Sequence, residues 1–385
     1  MLQLGILMPR STLYPSLGLD ILSGLKQHLQ QLNIFNDVKI VTDNIGFGVN
    51  EPEIYTKAEK MILADDVDVV IVIADIRITE MLHPLFTASN KIMLVVNMGA
   101  NFPDSWQPHS TTITHSLNFC FHAWLTGALA ANTENKNAAN VLSYYDAGYR
   151  QCYCMLNSNQ TNGGVPAFNH ITHLKIDEFT LQPLKQILQE NIETKTLLCQ
   201  FAAEQAEKFY EEIESLQKEF QLDLFLSPMM FEESMINKIS NKINIQSAHG
   251  YIPWHSTLSN KENILFNETI KTALKKEANY FTLLGWETGL IINAIYKLHK
   301  LDNNNAAEII KNLTQIKFDS PRGFFKIDEA SHHSYGSAYL ASYKNSFDIA
   351  LENEIENIEA AWAKFKAETN IDADGSGWKN TYLCI

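Results

Sequence analysis

The feature that most constrains the fold of this chain is a set of short apolar runs that alternate with amphipathic helical patterns. In the first part of the chain, the apolar runs cover residues 2–8, 38–42, 67–73 and 92–96, and helical spacing covers 17–32, 51–63 and 78–89. Strands that are apolar along their whole length are typical of a parallel sheet covered by helices on both faces. We therefore expect a doubly wound α/β lobe from this part.

The same alternation restarts further along the chain. Predicted strands cover 140–144, 173–176, 196–200 and 222–226, and predicted helices cover 117–131, 151–158, 183–191, 203–220 and 231–240. A chain of 385 residues exceeds what one hydrophobic core usually supports. The repeat therefore predicts two similar lobes, and the Pro-containing segments 101–114 and 250–256 are interpreted as crossovers between them.

The last third of the chain holds a short and distinctive stretch from Lys317 to Tyr343. Residues 261–300 are predicted to form two helices that rejoin the first lobe. The turn 320–323 has proline at its second position and glycine at its fourth, which indicates a hairpin. A second turn at 328–331, a strand at 339–343, a charged helix at 352–368 and a polar tail are expected to follow.

Charge and cysteine content exclude several classes of protein. The net charge of −14 and the pI near 5.3 argue against nucleic acid or an anionic membrane as a partner, since both require basic surface. Five scattered cysteines give neither a disulfide framework nor zinc spacing, and no metal or other cofactor is expected. No apolar run reaches the length of a membrane span, so direct membrane insertion is not expected.

The first residues predict no export signal. They lead directly into an apolar strand and lack a basic region and a cleavage site. Two locations stay open at this point. The chain is periplasmic if it is a mature form that begins with an added methionine, and it is cytoplasmic if Met1 is the native start.

Three stretches together resemble a known family. Lys317 to Tyr343 matches the late-chain pattern of the branched-chain amino acid and amide type of bacterial solute-binding proteins, and Asn279–Tyr280–Phe281 with Gly285–Trp286–Glu287 is similar to one of its helices. Residues 8–18, which read M-P-R-S-T-L-Y-P-S-L-G, align without gaps with its L-P-x-S-G-x-Y-x-x-x-G. The resemblance implies the periplasmic binding protein type I fold. In this fold, two Rossmann-like lobes are joined by a three-crossover hinge.

The resemblance also implies a division of the chain. Residues 1–116 and 251–322 are expected to form the N-terminal lobe, and residues 117–250 and 323–343 the C-terminal lobe. Residues 344–385 form a helix and a tail that are assigned to neither lobe.

Candidate ligand-binding residues lie in loops at the carboxyl ends of the predicted strands, where ligands bind in open α/β sheets. In the first lobe these are Ser11, Tyr14, Asp75, Arg77, Asn97, Gly99, Ala100 and Asn101, and the family uses the same three loops. Two alternatives remain open: Asp75 and Arg77 form a surface ion pair, or Ser11 and Asn97 only cap helices. Arg77 replaces the small serine or threonine common in the family and indicates an anionic ligand if it faces the cleft.

The second lobe and the crossover at 250–256, the return crossover, contribute five further candidates. Tyr145 and Tyr149 belong to a segment that resembles the family's D-Y-x-x-G, Ser227 and Met229 follow a predicted strand, and Trp254 lies in the crossover. An aromatic ring or a methionine there would cover a ligand. Trp254 is equally well interpreted as a core residue between the lobes.

Catalytic motifs are missing from the sequence. There is no G-x-S-x-G, P-loop, H-E-x-x-H or G-x-G-x-x-G. His170, His173, His332 and His333 are interpreted as surface residues rather than metal ligands. Residues 370–377 imitate a calcium loop, but Thr381 stands where the bidentate glutamate is required, so a solvated turn is predicted.

The sequence therefore predicts a binding protein rather than an enzyme. The expected ligand is an amino acid, an amide or a small organic acid held in an interlobe cleft by hinge closure. The expected role is the solute-binding component of an ABC-type uptake system, with a permease as partner. The alternative is a cytoplasmic sensor of the same fold that regulates a protein partner.

Overall fold

A five-stranded parallel sheet forms the centre of the first lobe. The computed structural model describes residues 1–301, 305–369 and 377–383. The strands are β1 (Leu2–Met8), β2 (Val38–Asn44), β3 (Val69–Ile73), β4 (Ile92–Asn97) and β5 (Thr112–Ser116), in the order β2-β1-β3-β4-β5. The helices are α1 (Leu17–Gln31), α2 (Glu51–Leu63), α3 (Ile76–Thr79) and α4 (His83–Ser89). All of its strand pairs are parallel, as the apolar runs predicted.

Two predictions for this lobe need correction. The single helix expected at 78–89 is divided into α3, a 3-10 turn at Glu80–Leu82 and α4. Pro84 lies in the first turn of α4 and lacks the N–H that a continuous helix would need there. The predicted crossover 101–114 overlaps β5, whose sequence T-I-T-H-S is polar although all five residues are buried.

Seven strands form the sheet of the second lobe, and three further strands form a small separate sheet. The strands are β6 (Asn137–Leu142), β7 (Val165–Ile171), β8 (Thr196–Gln200), β9 (Asp223–Leu226), β10 (Ser247–Ile252), β11 (Lys317–Ser320), β12 (Gly323–Ile327), β13 (Ser334–Gly336), β14 (Tyr339–Lys344) and β15 (Ala350–Glu354). The large sheet has the order β15-β14-β10-β9-β8-β6-β7, and the small sheet is β11-β12-β13. Strands β14 and β15 are antiparallel to their neighbours, and the other pairs of the large sheet are parallel.

The remaining helices cover the two sheets. They are α5 (Phe119–Ala131), α6 (Tyr144–Ala147), α7 (Arg150–Thr161), α8 (Gln182–Glu190), α9 (Ala203–Phe220), α10 (Glu233–Ile239), α11 (Lys261–Leu274), α12 (Tyr280–His299), α13 (Ala306–Leu313) and α14 (Ile358–Glu368). The predicted α/β fold with two parallel-sheet lobes is confirmed.

Several second-lobe boundaries were wrong. The strand expected at 173–176 is instead β7 at Val165–Ile171, an edge strand that tolerates Pro166. The strand expected at 140–144 ends at Leu142, because Ser143 caps α6 through the N–H of Asp146. The predicted crossover at 250–256 begins inside β10, and the helix predicted at 352–368 divides into β15 and α14. The calcium-like loop at 370–377 lies outside the described residues except for Gly377.

Helices α1 and α12 approach each other unusually closely within the first lobe. An added Cβ at Gly24 would lie 2.1 Å from the carbonyl oxygen of Thr282, and one at Gly285 would lie 2.0 Å from that of Ile21. Helices α1 and α12 therefore pack backbone to backbone, which places the C-terminal helices on the first sheet. In the described part of the chain, no helix is both long and apolar enough to cross a membrane.

Candidate functional site

The loops at the carboxyl ends of the strands in the two lobes meet directly. Tyr14, after β1, accepts a hydrogen bond through its hydroxyl from the N–H of Ala203 at the start of α9, at 2.9 Å. Asn101, after β4, accepts one from the N–H of Arg150 at 2.8 Å. The Gln151 N–H donates to the Ala100 carbonyl at 3.0 Å. The structure is therefore closed, with backbone groups of α7 and α9 bonded across the cleft.

A short segment near the end of the chain, residues 377–383, lies between these loops. The hydroxyl of Ser11 donates to the carbonyl oxygen of Tyr382 at 2.6 Å, and the N–H of Thr12 donates to that of Leu383 at 3.2 Å. From the other lobe, the hydroxyl of Tyr149 accepts from the N–H of Tyr382 at 2.8 Å. Ser11 and Tyr149 thus lie on opposite sides of one residue.

The ring of Tyr382 fills an aromatic pocket and is fully buried. Its centroid lies 5.3 Å from Tyr149, 6.0 Å from Tyr14 and 6.2 Å from Phe119, all in tilted or edge-on geometry. Aromatic pairs prefer these arrangements and distances. The phenol hydroxyl donates to Oε1 of Gln151 at 3.3 Å. The pocket therefore surrounds a planar ring and offers one polar group at its far end.

Asp75 and Asn101 form a polar contact point on the first-lobe side. Asp75 is buried and caps α3 by accepting from the N–H of Arg77 at 3.0 Å. Its other carboxylate oxygen accepts from the Thr381 hydroxyl at 2.7 Å and from Nδ2 of Asn101. Asn101 Nδ2 also lies 2.9 Å from the carbonyl oxygen of Trp378. Both residues therefore contact the segment, in agreement with their position at strand ends.

One interpretation of the sequence was that Arg77 and Asp75 form a surface ion pair. In the structure, the Arg77 guanidinium lies next to Asp104 instead. Its side chain is only 8% exposed, and its Nε lies 3.7 Å from Oδ1 of Asp104, a carboxylate that also pairs with Arg150. Its Nη1 lies 3.7 Å from the position of a Cβ on Gly377, so the guanidinium borders the segment. The charge of Arg77 is thus already shared with a carboxylate of the first crossover.

Asn97, Gly99 and Ala100 bond to the protein itself. Asn97 accepts from the N–H of Gly99 at 2.8 Å and donates to Ala74 at 3.1 Å. Gly99 has φ of +72°, and a Cβ there would lie 2.8 Å from backbone atoms of Asn118. Glycine at this position therefore permits the close approach of the crossover backbone.

The candidates around the return crossover are buried in the protein. Ser227 and Met229 have almost no exposed surface. Trp254 donates through its indole N–H to Asn263 at 2.7 Å and packs against Phe266 and Tyr280. The alternative interpretation of Trp254 as core therefore describes its contacts. Tyr145, by contrast, packs against Trp378 of the segment with ring centroids 5.8 Å apart.

Sequence reasoning missed Phe119 and Gln151, as well as the segment that meets them. Both lie in the first turn of a helix rather than in a strand-end loop, so the rule that selected the other candidates did not include them. Gln151 is buried, and its Nε2 has no hydrogen-bond partner within the described ranges. Trp378, Tyr382 and Leu383 in an otherwise polar tail are the signal that was available for the segment.

Burial dominates the electrostatics of the site. It raises the pKa of Tyr14 well above its usual value, so the hydroxyl stays protonated. Burial also raises the pKa of Asp146 to about 6, although the hydrogen bond from Ser143 partly offsets this. The site therefore has two buried carboxyl groups, at Asp75 and Asp146, and several hydroxyl donors.

A separate cavity of about 370 Å³ lies beside the first crossover and has histidines in its wall. His83 and His109 stack with centroids 3.4 Å apart, and Nδ1 of His332 lies 2.8 Å from the His109 carbonyl oxygen. His333 is half-buried, and burial lowers its pKa to about 3. In residues 1–301, 305–369 and 377–383, no group of three or more histidine, cysteine or carboxylate side chains is arranged to hold a metal ion.

Two doubly wound lobes that close over an enclosed site define a two-lobed ligand-binding protein. The model of a family described as periplasmic binding protein matches residues 2–348, and the chain belongs to this family. Among curated proteins, a sequence comparison finds no match.

Solved structures share the fold at low sequence identity. A solute-binding protein of an ABC transporter from R. palustris, in complex with benzoate, has a TM-score of 0.72 and 20% identity over 92% of this chain and 96% of that one. One from Rhodopseudomonas palustris HaA2, with p-hydroxybenzoic acid, has a TM-score of 0.73 and 13% identity over 92% and 96%. A leucine-binding protein from Thermotoga maritima has a TM-score of 0.68 and 14% identity over 92% and 99%.

Proposed function

We propose that the interlobe cleft binds an aromatic carboxylic acid of about the size of a single amino acid. The observation that carries this proposal is the environment of Tyr382. Its main-chain N–H stands in for an amino group, its carbonyl oxygen for a carboxylate oxygen and its phenol for the ligand's ring. Tyr149, Ser11 and the aromatic pocket contact these three parts in turn.

The ring pocket selects for aromatic rather than aliphatic ligands. Tyr14, Phe119 and Tyr149 present tilted or edge-on rings, which add about 0.5–1.5 kcal/mol per aromatic pair beyond area burial. Gln151 adds a hydrogen-bonding group at the end of the pocket. Its Nε2, which has no hydrogen-bond partner among the described residues, fits an acceptor on the ring. These contacts favour a hydroxylated ring.

The carboxylate position is defined by donors rather than by a paired arginine. Ser11 provides its hydroxyl and Thr12 its N–H, and both already hold carbonyl oxygens of the segment. An amino group would meet the hydroxyl of Tyr149 on the second lobe, with the carboxyl group of Asp146 on the same loop. Free tyrosine carries all three groups, and 4-hydroxybenzoate carries the ring hydroxyl and the carboxylate on a shorter frame.

Family membership supports a role as the solute-binding component of an ABC-type uptake system, with a permease as the partner. The solved structures that share the fold include proteins in complex with benzoate and p-hydroxybenzoic acid and a leucine-binding protein. Benzoate and p-hydroxybenzoic acid are aromatic acids, as proposed for this pocket. The site residues in this proposal are Ser11, Tyr14, Asp75, Asn101, Tyr145 and Tyr149 from the sequence, with Phe119 and Gln151 from the structure. Binding without turnover is part of the proposal.

The test is a thermal-shift and calorimetric comparison of tyrosine, phenylalanine, 4-hydroxybenzoate, benzoate and leucine at millimolar concentration. A ligand present at 100 times its Kd stabilises the folded protein by about 2.7 kcal/mol, which is a measurable shift in Tm. We expect tyrosine or 4-hydroxybenzoate to give the largest shift. A larger shift with tyrosine than with 4-hydroxybenzoate is the result expected if the amino group is bound as well.

Gln151→Leu provides the internal control for the ring end of the pocket. It should weaken binding of the hydroxylated ligand about fivefold to tenfold, the effect of one hydrogen bond of about 1–1.5 kcal/mol. Binding of phenylalanine or benzoate should change little. Stabilisation by leucine, without stabilisation by any aromatic acid, would contradict the proposal.

A further inference from the structure

Residues 377–383 are more deeply buried than a polar chain end requires. Asn380, Thr381, Tyr382 and Leu383 are 3%, 7%, 0% and 3% exposed. Burying backbone polar groups is costly unless each finds a hydrogen-bond partner. The contacts of this segment therefore need to be complete on both sides of the cleft.

Both lobes supply those partners. The first lobe bonds to the segment through Ser11, Thr12, Asp75 and Asn101, as described above. The second lobe bonds to it through Tyr149 and through the Gly148 carbonyl, which accepts from the N–H of Trp378 at 2.7 Å. Side chains and backbone groups of both lobes therefore hold this segment, as the two lobes of a binding protein hold a ligand.

Gly148 is required for this arrangement. A Cβ added there would lie 1.8 Å from Cδ1 of Trp378, which leaves no room for any side chain. The indole then lies against Tyr144 and Tyr145, with centroids 6.3 Å and 5.8 Å away. Trp378 thus packs against the second lobe beside Gly148, while Tyr382 fills the aromatic pocket.

We propose that residues 377–383 are a built-in occupant of the interlobe site, so that a diffusible ligand binds only when this segment leaves. This inference rests on the proposed function, since it assigns the same site to both occupants. The ligand class it adds is an extended peptide with a tyrosine that enters the aromatic pocket. Six of the thirteen binding residues predicted from sequence, Ser11, Tyr14, Asp75, Asn101, Tyr145 and Tyr149, contact this segment.

The proposal is tested on the full chain with three single substitutions. Tyr382→Ala removes the ring from the pocket, and Gly148→Ala blocks the position of Trp378 without changing the segment. Lys379→Ala is the matched control, because this side chain is half-exposed and lies 3.9 Å from the carboxylate of Glu51. Circular dichroism and thermal melts verify that each variant is folded.

The first readout is hydrogen exchange followed by mass spectrometry. Amides of 377–383 should exchange slowly in the wild type and in Lys379→Ala, and at least tenfold faster in Tyr382→Ala and Gly148→Ala. The second readout is calorimetric titration with a synthetic peptide of sequence GWKNTYL. This peptide should bind Tyr382→Ala and show at least tenfold weaker binding to the wild type, whose site is already filled.

The third readout separates this proposal from the proposed function. Free tyrosine and 4-hydroxybenzoate should bind Tyr382→Ala at least tenfold more tightly than the wild type. If the peptide binds Tyr382→Ala and neither aromatic acid does, the proposal of a built-in occupant is supported and the proposal of an aromatic acid ligand is wrong. If the aromatic acids bind the wild type and all three variants equally, and the amides of 377–383 exchange freely in the wild type, the proposal of a built-in occupant is wrong. The proposal of an aromatic acid ligand is then supported.

Discussion

At the scale of single residues, the sequence predicted those members of the candidate site that follow strand ends, and the structure brings several of them together. Ser11, Asp75 and Asn101 are where the rule for open α/β sheets places them, and all three bond to the segment in the cleft. Phe119 and Gln151 were missed because they lie in helices, and the sequence does not show which side chains of a helix face the other lobe. Tyr382 was missed because its position depends on contacts more than 200 residues away in sequence.

Gly99 gives a prediction at this scale. Its φ of +72° disfavours any other residue, and a Cβ would also overlap the backbone of Asn118 at 2.8 Å. Gly99→Ala should therefore lower the free energy of unfolding by about 3 kcal/mol or more, since strained left-handed residues alone cost about 1–3 kcal/mol. Urea denaturation followed by fluorescence measures the change.

Gly46→Ala is the control for Gly99→Ala. Gly46 has a similar φ of +58°, but no atom of the described residues lies within 4 Å of its Cβ position. Gly46→Ala should therefore lower the free energy of unfolding only by the cost of a left-handed backbone conformation, which is about 1–2 kcal/mol. Equal losses in the two variants would mean that the crossover backbone moves away from residue 99 at little cost.

At the scale of elements, apolar strands and amphipathic helices were predicted well and polar buried strands were not. Strands β3 and β4 are apolar and were placed within about two residues of their bounds. Strand β5 is polar, and its first three residues fall within the predicted crossover 101–114. Its last two residues, His115 and Ser116, bond to Ser334. Tertiary hydrogen bonds define this strand, and a single sequence does not contain them.

A buried ion pair fixes α12 to the turn between β11 and β12. The side chains of Glu287 and Arg322 are fully buried, with Arg322 Nε 2.9 Å from the carboxylate, and Ser320 also donates to it. Burial alone would raise the pKa of Glu287. The charge of Arg322 and the hydrogen bonds from His115 and Ser320 outweigh burial and hold the pKa below its usual value.

Breaking this pair gives the prediction for the element scale. Arg322→Met leaves Glu287 buried without its counter-charge and should lower the free energy of unfolding by about 3–5 kcal/mol. The double variant Glu287→Gln with Arg322→Met should lose less than Arg322→Met alone, because it restores neutrality. The exposed Arg10→Met is the control and should change stability by less than about 0.5 kcal/mol. Denaturant titration at neutral pH measures all three, and a double variant less stable than Arg322→Met would refute the charge argument.

At the scale of the whole molecule, stability should depend on pH through histidines that are buried in neutral form. Burial lowers the pKa of His28 to about 4 and that of His122 to about 3, against an ordinary value near 6.5. Below pH 6.5 the unfolded chain therefore binds protons at these residues that the folded chain does not bind. Stability is complete above about pH 6.5 and falls as the pH drops towards 4, with up to about 1.4 kcal/mol lost per pH unit for each histidine.

Thermal melts between pH 7.5 and 5 test this expectation. His28→Leu removes one such histidine, whose two ring nitrogens lack hydrogen-bond partners in the described part of the chain. Its Tm should fall less steeply with decreasing pH than that of the wild type. His299→Leu, at a half-exposed position at the end of α12, should leave the slope unchanged. Identical slopes in all three proteins would assign the acid sensitivity to other groups.

The covalent link between α14 and the segment in the cleft has a consequence for how the protein would respond to its ligand. An attached competitor acts at a local concentration set by chain geometry, which for short connections is about millimolar. The ligand concentration needed to fill the site is then fixed inside each molecule and does not change with the amount of protein present. Such a protein would bind its ligand with a higher apparent Kd than an empty cleft would, and substitutions in a few tail residues would change that Kd without altering the cleft.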